Sequence, residues 1–306
     1  MLKKRHKAWS IGLATNTGPV KQVNEDRLLL RLLKDQTGGE LLIAIIADGM
    51  GGYQYGDLAS QTIVDFFDQW INTHQDRLFQ AVHPFIVFEQ TWPDILKKLN
   101  KRLIEYGAFY QKKLGSTLTT LALYKGRYMI AHVGDSRIYQ WEKLQPYHIN
   151  QTDRLYETDI ETESLDVEQT LSQLTDDHSW VQQQVKQGKL SKQEAEKHPK
   201  RHVLLQCLGI EEYLEPYFTQ GSYQAHDQFI LCSDGFHTIY SEKELINVLH
   251  ANNSEKSDLQ AQVDQLITEV IQRGATDNIT LLMIKPLTLH NQSNWRKRIF
   301  DFFSFK

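Results

Sequence analysis

Four short apolar runs organise this chain, at residues 41–47, 128–133, 229–232 and 279–284. Each is rich in Ile, Leu and Val and is bounded by turn residues, the pattern of a strand buried on both faces. Three of them run out into an aspartate beside a glycine: Asp48-Gly49, Gly134-Asp135 and Asp234-Gly235. The fourth is entered through Asp277-Asn278. Between the first and second runs the period changes. Ala59, Ile63, Phe66, Phe67 and Trp70 fall near helical spacing and predict a helix over 56–73, with a second over about 91–113. Residues 116–124, 127–133 and 136–141 then alternate as a meander would, with Lys125-Gly126 as a tight turn. Further on, 179–209 reads as two short helices, Gly188 ending the first and the Ser191–Glu194 capping box opening the second. The long order strand, helix, helix, strand excludes a simple βαβ alternation and favours packed antiparallel sheets with helices outside.

If three strands carry aspartate at their exits and an antiparallel neighbour carries it at its entry, four carboxylates gather at one edge. Such a cluster repels itself unless a cation sits within it. Hard divalent ions take carboxylate, carbonyl and water oxygens, so Mg²⁺ or Mn²⁺ is the natural counter-charge. One Asp-Gly pair alone is an ordinary turn. The surroundings carry the stronger reading: Gly49, Gly51 and Gly52 allow close backbone approach, and Glu25-Asp26 adds a further acidic pair upstream.

These motifs resemble the metal-dependent, type 2C protein serine/threonine phosphatases of the PPM family, in their bacterial branch. The ordered match comprises Asn24-Glu25-Asp26, Asp48-Gly49-Met50-Gly51-Gly52, Gly115-Ser116-Thr117, Gly134-Asp135-Ser136-Arg137, residues 174–179, Ser233-Asp234-Gly235 and Thr276-Asp277-Asn278. It covers roughly residues 8–286. The resemblance implies an α+β fold, a four-layered αββα sandwich of two antiparallel sheets flanked by helices, with residues 179–209 as a flap beside the site. It also implies a ligand set for two Mn²⁺ or Mg²⁺ ions. Asp48 would bridge them, the Gly49 carbonyl would complete one, and Asp234 and Asp277 would hold the other. Asp26 and Glu25 match positions that contact the ions or order their waters, Glu25 from a second shell, and Asp135 matches the ligand of a third, weaker metal shared with Asp234. A hydroxide bridging the ions would then attack phosphorus in line, with no protein nucleophile.

One position departs from the family's pattern. Where an arginine usually grips the substrate phosphate, this chain has Lys21, which keeps the charge and gives up the fork, so Lys21→Arg is expected to improve turnover. Arg27 and Arg201 are the candidate compensating cations. Met50 stands where eukaryotic relatives carry a histidine; His132 and His178 are read as structural.

Composition narrows the setting. The 306 residues, 41% hydrophobic and 24% charged, suffice for one domain with a substantial core. A net charge of −4 gives no electrostatic ground for nucleic-acid binding. Cys207 and Cys232 lie in apolar surroundings and read as core residues. No signal peptide or membrane span is visible, and a cytoplasmic monomer is expected. Residues 142–173 read as an acidic surface insertion, and 287–306 as a basic and aromatic tail whose alternative role is contact with a membrane or partner. The expected partners are phosphorylated proteins, substrates of a cognate serine/threonine kinase. The competing reading is a catalytically weak, phosphatase-like regulator that binds phosphoproteins; a calcium-binding structural module fails because the ligands come from distant positions.

Overall fold

The computed structural model describes residues 8–50, 55–143, 169–251 and 258–287. Two antiparallel sheets stack face to face with a helical layer on each outer side, the αββα sandwich expected from the sequence. One sheet has six strands: β2 (Asp26–Lys34), β3 (Glu40–Met50), β5 (Leu118–Tyr124), β6 (Arg127–Val133) and β9 (Tyr217–Ser222) in that spatial order, with the two-residue β4 (Gly115–Ser116) on the end of β3. The other has five, in the order β1 (Trp9–Asn16), β11 (Ile279–Pro286), β10 (Gln228–Cys232), β7 (Arg137–Lys143) and β8 (Gln169–Gln173).

The continuous apolar run of β3 follows from its place between two cores. Leu41, Ile43, Ile45 and Ala47 face the helical layer, where they pack with Ile63, Phe67 and Trp70 of α1 (Gly56–Gln80) and Phe88, Trp92 and Leu99 of α2 (Pro84–Tyr110). The alternate residues Leu42, Ala44 and Ile46 face the second sheet, meeting Phe229, Leu231, Leu282 and Ile284. Period-two side-chain alternation thus serves both layers, and no polar position is tolerated between residues 41 and 47. The other outer layer is α6 (Glu242–Ala251) and α7 (Leu259–Gln272), laid on Ile230, Leu281 and Met283.

Both long helices outrun their sequence boundaries. α2 begins at Pro84 rather than near residue 91, because His83 caps it and Phe85, Phe88 and Trp92 form an aromatic stack that meets Phe67 of α1 edge-on at 6.0 Å. Pro93 therefore lies inside the helix rather than at its start. α1 continues to Gln80, anchored by buried Leu78.

The flap segment carries α3 (Trp180–Lys186) and α4 (Lys192–Lys197), the latter opened by the Ser191–Glu194 capping box. The acidic stretch read at 142–173 ends in a strand, since Gln169–Gln173 pairs with β7; its central part, 144–168, lies outside the described residues. So do Gly51, Gly52 and the tail from residue 288. No helix among the described residues is long and apolar enough to cross a membrane.

Candidate active site

All five candidate aspartates stand at one end of the sandwich. Asp48 is near the exit of β3 and lies opposite Asp26, the first residue of β2, in the antiparallel register. Asp135 follows β6; Asp234 opens the short α5 (Asp234–His237) directly after β10; Asp277 precedes β11. Because β10 and β11 run antiparallel with Cys232 opposite Leu281, exit and entry bring Asp234 and Asp277 to the same end.

Asp26 clasps the two sheets together. Its Oδ2 accepts hydrogen bonds from Ser233 Oγ at 2.8 Å and Thr280 Oγ1 at 2.6 Å, both in the opposite sheet's chain segments. Its other oxygen, Oδ1, is buried without a hydrogen-bond partner. Asp48 is braced by Thr117, whose hydroxyl accepts from the Asp48 N–H at 3.0 Å while the Thr117 N–H donates to the Asp48 carbonyl at 2.9 Å. Ser136 Oγ lies 3.1 Å from that hydroxyl. Glu25 does not join the aspartates directly: its Oε1 accepts from Gly56 N–H at 3.2 Å, where the first turn of α1 offers unpaired donors. Gly49 permits this packing, since a Cβ there would lie 2.0 Å from the Gly56 carbonyl oxygen.

The electrostatics follow from this crowding. Burial, eased by the two hydroxyl donors and aggravated by Asp277, pushes Asp26 up to about 6. Burial and the Asp277 and Asp26 charges, opposed by Lys21, push Asp234 up to about 7. Asp48 and Asp135 are held well above the carboxylate range by burial and then by their acidic neighbours. Lys21 Nζ sits 2.9 Å from Asp277 Oδ1; burial disfavours its charge, but Asp277, Glu25 and Asp48 outweigh this and raise its pKa.

Among the described residues no three carboxylate, imidazole or thiol side chains close into a ready ion cage. The carboxylates rest instead against hydroxyls, the Lys21 ammonium and one another. The donor chemistry nevertheless fits a hard divalent cation. It is all oxygen, it carries unrelieved negative charge, and it includes an orphaned buried carboxylate oxygen; Mg²⁺-type ions need only a few protein oxygens and complete their shell with water.

Around this cluster the flap is anchored by polar contacts. Arg137 donates to both oxygens of Asp177, at 2.7 Å from Nη2 and 3.1 Å from Nε, and to Tyr139 OH at 3.0 Å. The His178 N–H donates to the Gly134 carbonyl at 2.7 Å, and its Nδ1 accepts from Gly134 N–H at 3.3 Å. His132 packs beside it, buried, with Nδ1 2.9 Å from Thr119 Oγ1. Both histidines are thus built into the frame. His237 Nε2–H donates to the Asp135 carbonyl at 3.0 Å, and burial, with Arg137, lowers its pKa to about 3, so it is neutral.

A cleft of about 590 Å³ opens beside Asp135 and Asp234, bounded by His237 and by the flap's Lys192, Arg201 and His202. Arg27 does not reach into it, being spent on Gln61 and on the Asn24 and Asp26 carbonyls. Sequence reasoning did not single out Thr280 or His237, and gave Asn278 only as part of the Asp277 motif, with no role of its own. Asn278 accepts from Glu25 N–H at 2.8 Å and donates to the Thr17 and Val23 carbonyls. The only sequence signal for these was their adjacency to the aspartate motifs.

Comparison with known proteins gives the family and the shared fold. The family model described as Protein phosphatase 2C matches residues 19–280. The "Serine/threonine phosphatase stp" of Listeria welshimeri is 30% identical over 274 residues, covering 89% of this chain and 93% of that protein. The solved serine/threonine phosphatase of S. agalactiae superposes with a TM-score of 0.69 at 25% identity, covering 91% of this chain and 99% of that one. The fold is shared with the PstP catalytic domain solved with two manganese ions, at TM-score 0.64 and 22% identity, covering 92% and 99%.

Proposed function

The chain belongs to the protein phosphatase 2C family, and from that premise we propose that it hydrolyses phosphoserine and phosphothreonine in proteins, using Mn²⁺ or Mg²⁺. The observation that carries this reading is the convergence of Asp26, Asp48, Asp135, Asp234 and Asp277, from both sheets, on one end of the sandwich beside an open cleft.

In this reading Asp48, the Gly49 carbonyl, Asp234, Asp277 and Asp26 hold two ions, Glu25 supports them from α1, and Asp135 with Asp234 offers a third position. When bound, the ions supply Lewis acidity that makes water nucleophilic near neutral pH and offset the charge of the phosphate. The protein's own part is positional. Thr117 and Ser136 fix the Asp48 backbone, Ser233 and Thr280 fix Asp26, and Lys21 brings the cation nearest the cluster for the phosphate oxygens. The cleft under the flap receives the peptide on either side of the phosphorylated residue. No side chain is asked to form a covalent intermediate.

The functional domain is proposed to span 8–286, acting in the cytoplasm as a monomer on proteins phosphorylated by a cognate kinase. The test is the initial rate on a phosphothreonine peptide with Mn²⁺, with EDTA and with Asp234→Asn. Turnover abolished in both controls supports the reading; no turnover in any metal overturns it.

A further inference from the structure

We propose, resting on the phosphatase reading above, that Lys21 is a tether displaced by metal. In the metal-free protein its ammonium serves as the counter-ion of Asp277, and uptake of a divalent cation at Asp277 frees it to grip phosphate.

The contact is built into the fold. Lys21 lies on the turn between β1 and β2, and this turn is stitched to the Asp277-Asn278 turn: Asn278 Nδ2 donates to the Thr17 carbonyl at 2.8 Å and the Val23 carbonyl at 3.1 Å. Gly18, at φ 76°, packs so closely on the same turn that a Cβ would stand 2.4 Å from the Asp277 carbonyl oxygen. These contacts hold the two turns together, and the Lys21 side chain crosses between them to reach Asp277 Oδ1 at 2.9 Å. Both side chains are partly exposed, 37% and 42%, so the ammonium has open space to leave into.

The chemistry of lysine makes the two contacts alternatives. An ammonium is a compact point charge on a flexible stem, whereas a guanidinium fork can hold a carboxylate on one edge while presenting another to phosphate. A divalent ion at Asp277 both removes the partner of Lys21 and repels the ammonium. Replacement of the usual arginine by lysine therefore orders the binding events: metal first, phosphate grip second. Like any cation paired with Asp277 at this position, Lys21 also competes with the ion, which weakens metal uptake.

Calorimetric titration of the metal-free chain with Mn²⁺ alone tests this in wild type, Lys21→Met, Lys21→Arg and Arg201→Met. Arg201 is the charge-matched control, an exposed residue of the cleft beside Asp135 and Asp234 with no carboxylate partner among the described residues. Lys21→Met is expected to bind Mn²⁺ about three- to fivefold more tightly, the size that a partly exposed ion pair supplies. Lys21→Arg should remain near wild type, because arginine also pairs with Asp277, and Arg201→Met should shift by less than about twofold. Equal or weaker Mn²⁺ binding by Lys21→Met, or an equal gain in Arg201→Met, overturns the tether alone. Failure of the wild type to take up Mn²⁺ overturns the metal reading beneath it.

Discussion

Asp26 and Asp48 face each other across β2 and β3 with like charge, yet only Asp26 is given hydroxyl donors from the opposite sheet. A group whose folded pKa is raised stabilises fully below its unfolded pKa and loses that contribution as pH rises through the folded value. Above pH 6 the charged Asp26 therefore works against the metal-free fold. In Asp26→Asn the amide oxygen can keep both hydroxyl bonds while the nitrogen replaces the orphaned oxygen. Metal-free Asp26→Asn is expected to be more stable at pH 7.5, on the order of 1–2 kcal/mol, while its gain in stability on adding Mn²⁺ shrinks. Urea unfolding with EDTA and with Mn²⁺ reads both; a less stable metal-free variant refutes the account.

His132 gives an opposite pH dependence. Burial, with His178 next, lowers its pKa to about 3, so it stays neutral in the fold while the unfolded chain takes up a proton below about pH 6.5. Its contribution is lost as pH falls from there toward 3. His132→Leu forfeits the Thr119 hydrogen bond, costing about 1 kcal/mol at pH 7.5. Between pH 7.5 and pH 5 the variant should gain about 2 kcal/mol on wild type. Urea midpoints at the two pH values check this, and a constant difference between the two proteins contradicts it.

Arg137 is the half-buried cation of the flap anchor, paired with the buried Asp177. Arg137→Ala leaves the Asp177 carboxylate without its forked partner in a poorly solvated place, a loss of about 3 kcal/mol. Phosphopeptide turnover should fall with it, and limited proteolysis should cut first in residues 179–209. Unchanged stability would mean that the forked pair contributes nothing net.

Gly49→Ala tests the closeness of β3 to the first turn of α1. The added methyl meets backbone, not a movable side chain, so the strand end and Asp48 must shift. We expect a loss of about 2 kcal/mol and Mn²⁺ affinity reduced at least about tenfold, both measurable by thermal unfolding and calorimetry.

The layers and the acidic edge were legible because each rests on a local pattern: uninterrupted apolar runs for doubly buried strands, and aspartate at strand ends. The start of α2 was not. The sequence pattern starts the helix near residue 91, and only the stacking of Phe85, Phe88 and Trp92 against α1, a tertiary effect, carries it back to Pro84. Glu25 reads in the sequence as a carboxylate that supports the ions from behind the cluster, without a stated anchor. Its attachment to Gly56 depends on where α1 begins, which spacing alone does not fix. Lys21 was legible as a substitution, whereas its partner Asp277, more than 250 residues away in sequence, was not.

The pairing of β1 with β11, Trp9 opposite Pro286 through Asn16 opposite Ile279, has a consequence for synthesis on the ribosome. The six-stranded sheet can form once β9 has emerged, but the first strand made must wait for the last before the second sheet closes. Asp26 and Asp48 are translated early; Asp234 and Asp277 arrive late. Nascent chains therefore carry only part of the acidic cluster, and its aspartates can converge only when translation has passed β11.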